Sequence, residues 1–178
     1  MARSALVVLL RGVNVGGHKT FRPTTLVERL QHLDAVNIGA AGTFVIRRPV
    51  PLGQLRAELA SMLPFETEIM ICEGREIVRL MSLDPFAGQP VRPDIVHFVS
   101  VLSKRPRTAL STPMSMPSSG EWQLKILAAE SRFVVGMYRR HMRAIDYLGK
   151  LDRLVGVPVT TRNWNTITAI ARVLREIG

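Results

Sequence analysis

Several residue types that support particular functions are scarce in this chain. Its 178 residues include a single cysteine, Cys72, so an internal disulfide and a cysteine-based metal site are both ruled out. Aromatic residues make up 6% of the chain, which leaves few rings on which nucleic-acid bases could stack. No apolar run approaches the ~20 residues of a membrane span, and residues 5–10 are too short a run for a signal peptide. We therefore expect a globular, cytoplasmic protein without a membrane partner.

Patterns that would mark a catalytic or metal site are also missing. The four histidines, His18, His32, His97 and His141, have no metal-ligand spacing, and we expect them to be structural or exposed. No Ser-His-Asp order stands out along the chain. The sequence predicts no metal site, names no cofactor or catalytic residue, and leaves open whether the protein is an enzyme.

The chain does carry an excess of positive charge. Lys and Arg number 24 against 14 Asp and Glu, which gives a formal net charge of +10. Such a surface attracts polyanions and phosphorylated ligands over a Debye length of about 10 Å. The same charge also aids solubility, so charge alone does not establish nucleic-acid binding.

The first half of the chain alternates strand and helix patterns. Continuous apolar residues predict a strand at 5–10 that is buried on both faces. The remaining elements follow from apolar spacing: a helix that opens at Pro23, strands at 36–38 and 43–48, a helix at 51–63 and a strand at 67–72. This order, β-α-β-β-α-β, is typical of the split-βαβ or ferredoxin-like fold.

The second half repeats this order loosely. We predict a strand at 95–102, a mostly loop segment at 104–120, a hairpin of strands at 121–128 and 131–138, a helix at 144–155, a strand at 157–161 and a last helix at 164–177. The Pro-containing segment 87–94 reads as a linker. The prediction is therefore an α+β protein of two ferredoxin-like halves, residues 1–86 and 87–178.

Two segments near opposite ends of the chain carry a family likeness. Residues 9–17, Leu-Leu-Arg-Gly-Val-Asn-Val-Gly-Gly, resemble the N-terminal signature of the bacterial domain-of-unknown-function family sixteen-ninety-seven. Residues 160–166, Thr-Thr-Arg-Asn-Trp-Asn-Thr, resemble its C-terminal signature, and residues 84–86 and the strand from Ile95 match its layout. The resemblance implies an α+β fold of two ferredoxin-like halves and implies no activity.

The first candidate site is the glycine-rich loop, residues 11–17. Glycines let backbone amides approach a ligand closely, and successive amides form a nest for anions. The guanidinium of Arg11 suits a phosphate or carboxylate. The alternative is a tight connection that needs positive φ angles. The candidate ligand residues here are Arg11, Gly12, Asn14, Gly16 and Gly17.

The second candidate site is the C-terminal motif, residues 160–166. Asn163 or Thr161 can cap the last helix, whose positive end favours an anion. Trp164 either stacks on a ring of the ligand or anchors the helix in the core. The alternative is an elaborate cap and a core tryptophan. The candidate ligand residues here are Arg162, Asn163, Trp164, Asn165 and Thr166.

These two segments lead to one hypothesis and two alternatives. The hypothesis is that both line one cleft between the halves, which binds a phosphorylated small molecule or a nucleotide. The first alternative is a nucleic-acid-binding module that uses distributed basic clusters such as residues 104–107 and 139–143. The second is a structural or interaction protein in which both motifs only hold the fold together.

Overall fold

The computed structural model describes residues 5–13, 17 and 19–177. Within these ranges, no helix combines the length and the apolar content that crossing a membrane requires. The same residues contain no group of three or more His, Cys, Asp or Glu side chains that could hold a metal ion.

The chain divides into two compact units. The first comprises Met1–Ser82 and Thr168–Gly178, and the second comprises Leu83–Ile167. The last helix therefore begins in the second unit and ends in the first. The domain limits predicted from the sequence, 1–86 and 87–178, stay a prediction.

The first unit has the ferredoxin-like fold that the sequence predicts. Its strands form one sheet in the order β2-β3-β1-β4, and each neighbouring pair is antiparallel. The elements are β1 (Leu6–Leu10), α1 (Pro23–Arg29), a 3₁₀ turn (Gln31–Leu33), β2 (Ala35–Asn37), β3 (Thr43–Ile46), α2 (Leu52–Met62), β4 (Ile69–Glu73) and α3 (Gly74–Ser82). The first six helices and strands follow the split-βαβ order, and α3 is an addition that starts directly after the fourth strand.

Strand β1 is the centre of this unit. Val7, Val8, Leu9 and Leu10 are all fully buried, so both faces of the strand are covered, as its unbroken apolar sequence predicts. On one face, Val8 and Leu10 pack in a core cluster with residues of α1 and α2, among them Leu26 and Leu55. Burial of this apolar surface stabilises the unit, at roughly 25 cal/mol per Å² removed from water.

The second unit repeats the same strand order with one helix missing. Its sheet has the order β6-β7-β8-β5-β9, again with antiparallel neighbours. Without the short edge strand β6, the order matches that of the first sheet. The elements are β5 (Ile95–Leu102), β6 (Met114–Met116), β7 (Leu124–Glu130), β8 (Phe133–Arg139), α4 (Met142–Leu148), α5 (Leu151–Val155), β9 (Val159–Asn163) and α6 (Trp164–Arg175).

Three details of this unit differ from the sequence prediction. Strand β6 lies within the segment predicted as loop. Its flanking Pro113 and Pro117 fit an edge strand, because proline has no backbone N–H to donate to a second neighbour. The helix predicted at 144–155 is two short helices, interrupted at Gly149 and Lys150. Strand β9 runs two residues further along the chain than predicted, which leaves no loop between it and α6.

One position in the core of this unit is reserved for glycine. Gly136 lies on β8 opposite Phe98 of β5. A Cβ atom at this position would come within 2.7 Å of Cζ of the Phe98 ring and closer still to the carbonyl oxygen of Lys125. Phe98 is fully buried in the core cluster, so its ring occupies the space that any side chain at 136 would need.

Candidate functional site

The glycine-rich loop is partly described. Asn14 and Gly16 lie outside the described residues. Gly12 and Gly17 have φ angles of +64° and +78°, a region in which glycine is favoured. Neither has an atom within 4 Å of where a Cβ would stand, so the backbone angle and not crowding requires glycine at both. This is what the tight-connection interpretation of the loop expects.

The backbone of Arg11 is held by the segment before β4. Its N–H donates to the carbonyl oxygen of Glu68 at 3.0 Å, and its carbonyl oxygen accepts from the hydroxyl of Thr67 at 2.5 Å. A cavity of about 510 Å³ lies here, and its lining includes Lys19, Glu66 and Glu68. Two carboxylates against one ammonium make this cavity a weak attractor for anions. The predicted ligand role of Arg11 and the glycines stays a prediction.

The C-terminal motif forms the direct junction of β9 with α6. The side-chain oxygen Oδ1 of Asn163 accepts the backbone N–H of Thr166 at 2.9 Å and its hydroxyl at 3.0 Å. The predicted cap by Asn163 is thus confirmed. It satisfies one of the N–H groups that the first turn of a helix leaves without intrahelical partners, and it does so with a neutral side chain.

Arg162 lies on the opposite face of β9 from Asn163, because successive side chains of a strand alternate. It is 7% exposed, and its Nη1 donates to the hydroxyl of Thr160 at 2.7 Å and to the carbonyl oxygen of Thr161 at 3.0 Å. Burial lowers the pKa of Arg162 to about 10, so the side chain is still charged at neutral pH. Both of these Nη1 contacts are with residues of its own strand, and its predicted role as a ligand clamp stays a prediction.

A cavity of about 320 Å³ opens at the start of α6, within the second unit. We call it the α6 cavity. Three residues of the C-terminal motif line it, together with residues from the segment before β5, from β5 itself and from the end of β8. The lining residues are Val91, Arg92, Ile95, Val96, His97, Arg140, Asn163, Trp164 and Asn165.

Two arginines of the α6 cavity are each bound through Nε, Arg140 by a neutral backbone carbonyl and Arg92 in an ion pair with a carboxylate. Arg140 donates from Nε to the carbonyl oxygen of Pro93 at 2.8 Å, and Arg92 donates from Nε to Oδ1 of Asp94 at 2.9 Å. The terminal nitrogens of both guanidinium groups bind no other residue in the described part of the chain. The N–H of Arg140 also donates to the carbonyl oxygen of Asp94 at 2.9 Å, which ties the two segments together. A guanidinium held by Nε offers its two Nη groups to a carboxylate or phosphate.

Three aromatic rings support the wall of the cavity. The rings of His97 and Phe86 stack at 4.4 Å, and Trp164 meets Phe86 edge to face at 4.9 Å. Nε2 of His97 lies 2.9 Å from the carbonyl oxygen of Pro90, which can only accept, so Nε2 carries the hydrogen. Trp164 therefore packs on Phe86 and also borders the cavity, and its predicted stacking on a ring of the ligand stays a prediction.

The start of α3 in the first unit is a natural comparison for the start of α6. Each helix begins directly after the last strand of its sheet along the chain. At α3 the N–H of Glu73 donates to Oε2 of Glu76 at 2.7 Å, and Glu73 also pairs with Arg75. Carboxylates thus compensate the positive end of α3. At α6 the corresponding positions are Asn163 and Thr166, which are neutral, so the positive end of α6 remains available to an external anion.

Many other arginines bind backbone carbonyl groups of the protein itself. Arg48 donates to the carbonyl oxygen of His32 at 3.1 Å, Arg132 to that of Leu102 at 2.8 Å, and Arg139 to that of Trp122 at 2.8 Å. Part of the positive charge seen in the sequence therefore serves to connect segments within each unit.

Comparison with protein families gives one match. A family model described as "Protein of unknown function (DUF1697)" matches residues 3–129.

The chain belongs to the DUF1697 family. The matched stretch includes the glycine-rich loop and ends before the C-terminal motif, so the resemblance of residues 160–166 rests on the sequence alone. Comparison with curated proteins gives no match.

The fold of this DUF1697 member is similar to that of a solved bacterial structure. That structure is the conserved bacterial protein SP0830 from Streptococcus pneumoniae, with a TM-score of 0.61 and 15% sequence identity. The similarity covers 96% of this chain and 98% of the other. At this identity the likeness shows a common fold and nothing about activity.

Proposed function

We propose that this DUF1697 protein binds a phosphorylated small molecule in the α6 cavity. The observation that carries the proposal is the pair Arg92 and Arg140, each held through Nε with its Nη groups unbound in the described residues. Two such groups bind a phosphate through charge-assisted hydrogen bonds, which are roughly twice as strong as neutral ones. The part that the glycine-rich loop plays in ligand binding stays a prediction.

The start of α6 supports the same ligand. Asn163 and Thr166 cap the helix without adding negative charge, so the helix dipole favours an anion in the cavity. Asn165 is exposed at the cavity, and its amide binds no other described residue. It offers a neutral hydrogen-bonding group beside the two positive charges.

The rival function is nucleic-acid binding by the distributed basic clusters. The contacts of Arg132 and Arg139 weigh against it, because their terminal nitrogens are also engaged within the protein. Arg132 donates from Nη2 to the carbonyl oxygen of Leu102, and Arg139 pairs with Asp94 and Glu121. The rival predicts an affinity that falls steeply with salt and a loss spread over many arginines. The proposed site predicts a loss concentrated at Arg92 and Arg140.

We also propose that the protein works in the cytoplasm. Its lone cysteine, Cys72, is buried within the sheet of the first unit, as expected for a chain that does not depend on disulfides. Expression of a tagged protein in its bacterial host, followed by fractionation, checks this location.

Thermal unfolding with phosphate, ribose 5-phosphate and mononucleotides tests the proposed site. A ligand at about 100 times its Kd stabilises by about 2.7 kcal/mol, which raises Tm by roughly 5–10 °C for a chain of this size. Arg140→Gln should remove this shift. Arg143→Gln is the matched control, because Arg143 is exposed on α4 and does not line the cavity. Equal shifts in wild type and Arg140→Gln would contradict the proposal.

A further inference from the structure

The α6 cavity has apolar as well as charged residues in its lining. The apolar residues are Val91, Ile95, Val96 and Trp164. Val91 is 90% exposed and is the most exposed of the large hydrophobic residues in the described chain. A bare phosphate or a sugar phosphate would engage the arginines and leave this apolar surface in water.

From these charged and apolar lining residues we infer that the ligand of the α6 cavity is a nucleoside monophosphate. Its phosphate binds Arg92 and Arg140, and its base lies against Val91 and Trp164. This inference rests on the proposed function and adds the chemistry of the second half of the ligand. A flat heteroaromatic ring covers apolar surface and keeps polar edges for hydrogen bonds.

Trp164 is positioned to act as a stacking surface. Its indole is half-buried and packs edge to face on Phe86, whose own face is covered by the ring of His97. His97 is in turn fixed by the carbonyl oxygen of Pro90. A ring that packs on a second ring, itself stacked on a third, loses little freedom when a base stacks on it, so the ordering cost of binding is small.

The side-chain amide of Asn165 adds a means of recognising the base. An amide group both donates and accepts, which matches the edge of a purine or pyrimidine. Asn165 is the second residue of α6 and lines the cavity beside Trp164. Stacking and amide contact can therefore come from adjacent residues of one helix turn.

The size of the cavity sets the length of the ligand. Its volume of about 320 Å³ lies near the lower end of small-molecule sites, at about 300–1,000 Å³. This is room for one nucleotide. A nucleoside monophosphate can reach the cavity either as a free mononucleotide or as the terminal nucleotide of a 5′-phosphorylated strand.

Titration calorimetry on the full chain tests the inference. The probes are adenosine 5′-monophosphate, ribose 5-phosphate, adenosine, and a short oligonucleotide with and without a 5′-phosphate. The variant is Val91→Ser, which changes an exposed side chain and leaves the fold alone. The control is Val78→Ser, a valine of α3 that is 50% exposed and lies outside the cavity.

We expect the monophosphate to bind at least about tenfold more tightly than ribose 5-phosphate. Val91→Ser should reduce that advantage and leave ribose 5-phosphate unaffected, whereas Val78→Ser should change neither. Equal binding of the phosphorylated oligonucleotide, with the same sensitivity to Val91→Ser, would identify a strand end as the source.

The contrary outcomes separate the inference from the proposed function. If ribose 5-phosphate binds as tightly as the monophosphate, the base is not recognised and the inference fails while anion binding stands. If no phosphorylated probe binds, both fail. Binding of the unphosphorylated oligonucleotide alone, indifferent to Val91→Ser, would contradict both and favour the basic surface.

Discussion

Nε of Arg140 donates to the carbonyl oxygen of Pro93 at 2.8 Å. This bond connects the end of β8 to the segment that leads into β5, and it aligns one guanidinium of the α6 cavity. Arg92, on the same leading segment, forms a local ion pair with Asp94 through its own Nε. The contact of Arg140 with Pro93 is not local, because it depends on the antiparallel pairing of β5 with β8, in which Ile95 lies opposite Arg139.

The charge at the start of α6 can be changed without removing its cap. Asn163→Asp keeps an oxygen that accepts the N–H of Thr166 and adds a negative charge, as Glu76 does at α3. We expect the free energy of unfolding to stay equal or rise by about 0.3–1 kcal/mol, because an acid favours a helix N-terminus. Phosphate affinity should fall in the same variant, and chemical denaturation with calorimetry measures both quantities.

Asn163→Ala is the companion variant. Loss of the cap should lower the free energy of unfolding by about 1 kcal/mol. The reduction in phosphate affinity should be smaller than for Asn163→Asp, since no negative charge is added. If the aspartate variant binds phosphate as well as wild type does, the dipole at α6 takes no part in binding.

Arg162 should affect stability more than binding. Its buried guanidinium bonds Thr160 and Thr161 of its own strand, so Arg162→Ala removes these hydrogen bonds and the packing of the side chain. We expect a loss of about 1–3 kcal/mol in the free energy of unfolding. Arg153→Ala, an exposed change on α5, should shift it by less than about 0.5 kcal/mol. A loss of phosphate affinity at unchanged stability would instead make Arg162 a ligand residue.

Alanine substitutions at Gly136 and Gly53 should change the stability of the protein in opposite directions. A Cβ at Gly136 meets the buried ring of Phe98, and overpacking of this kind costs about 1–3 kcal/mol or more. Gly53 lies in α2 with no atom within 4 Å of a Cβ, so Gly53→Ala should stabilise by about 0.4–1 kcal/mol. Thermal unfolding of the two variants side by side measures the difference, and equal Tm values would contradict the packing described for β8.

Tyr138 should make the protein less stable at alkaline pH. Burial raises its pKa, and the charge of Arg140 offsets part of this effect. Because the pKa of Tyr138 is higher in the folded protein than in the unfolded chain, its contribution to the free energy of unfolding is fully present below about pH 10. That contribution is lost as pH rises through the folded pKa. Tyr138→Phe should lose less stability than wild type over this range. Identical pH profiles for the two proteins would show that Tyr138 is not buried as described.

The fold was largely predictable because its strands and helices have strong apolar patterns. Strand β1 is covered on both faces, and so its sequence is an uninterrupted apolar run. Strand β6 escaped prediction because three residues between two prolines carry no readable alternation. Its pairing with β7 depends on tertiary contacts that lie outside its own sequence.

The site was predictable only in part. The cap by Asn163 is a local interaction between residues three apart, and the sequence indicates it directly. Arg92 and Arg140 are far apart in the chain, and only strand pairing brings them to one cavity. The available signal was their position: Arg92 shortly precedes one predicted strand, and Arg140 shortly follows another, so an antiparallel pairing would place them together.

The most direct test of the α6 cavity is a crystal structure of the protein soaked in tungstate, a tetrahedral oxyanion located by its anomalous scattering. The account predicts the strongest anomalous peak in the α6 cavity, within hydrogen-bond distance of the Nη groups of Arg92 and Arg140, and its loss in Arg140→Gln. A strongest peak at the glycine-rich loop, or an equal peak in the α6 cavity of Arg140→Gln, would contradict it.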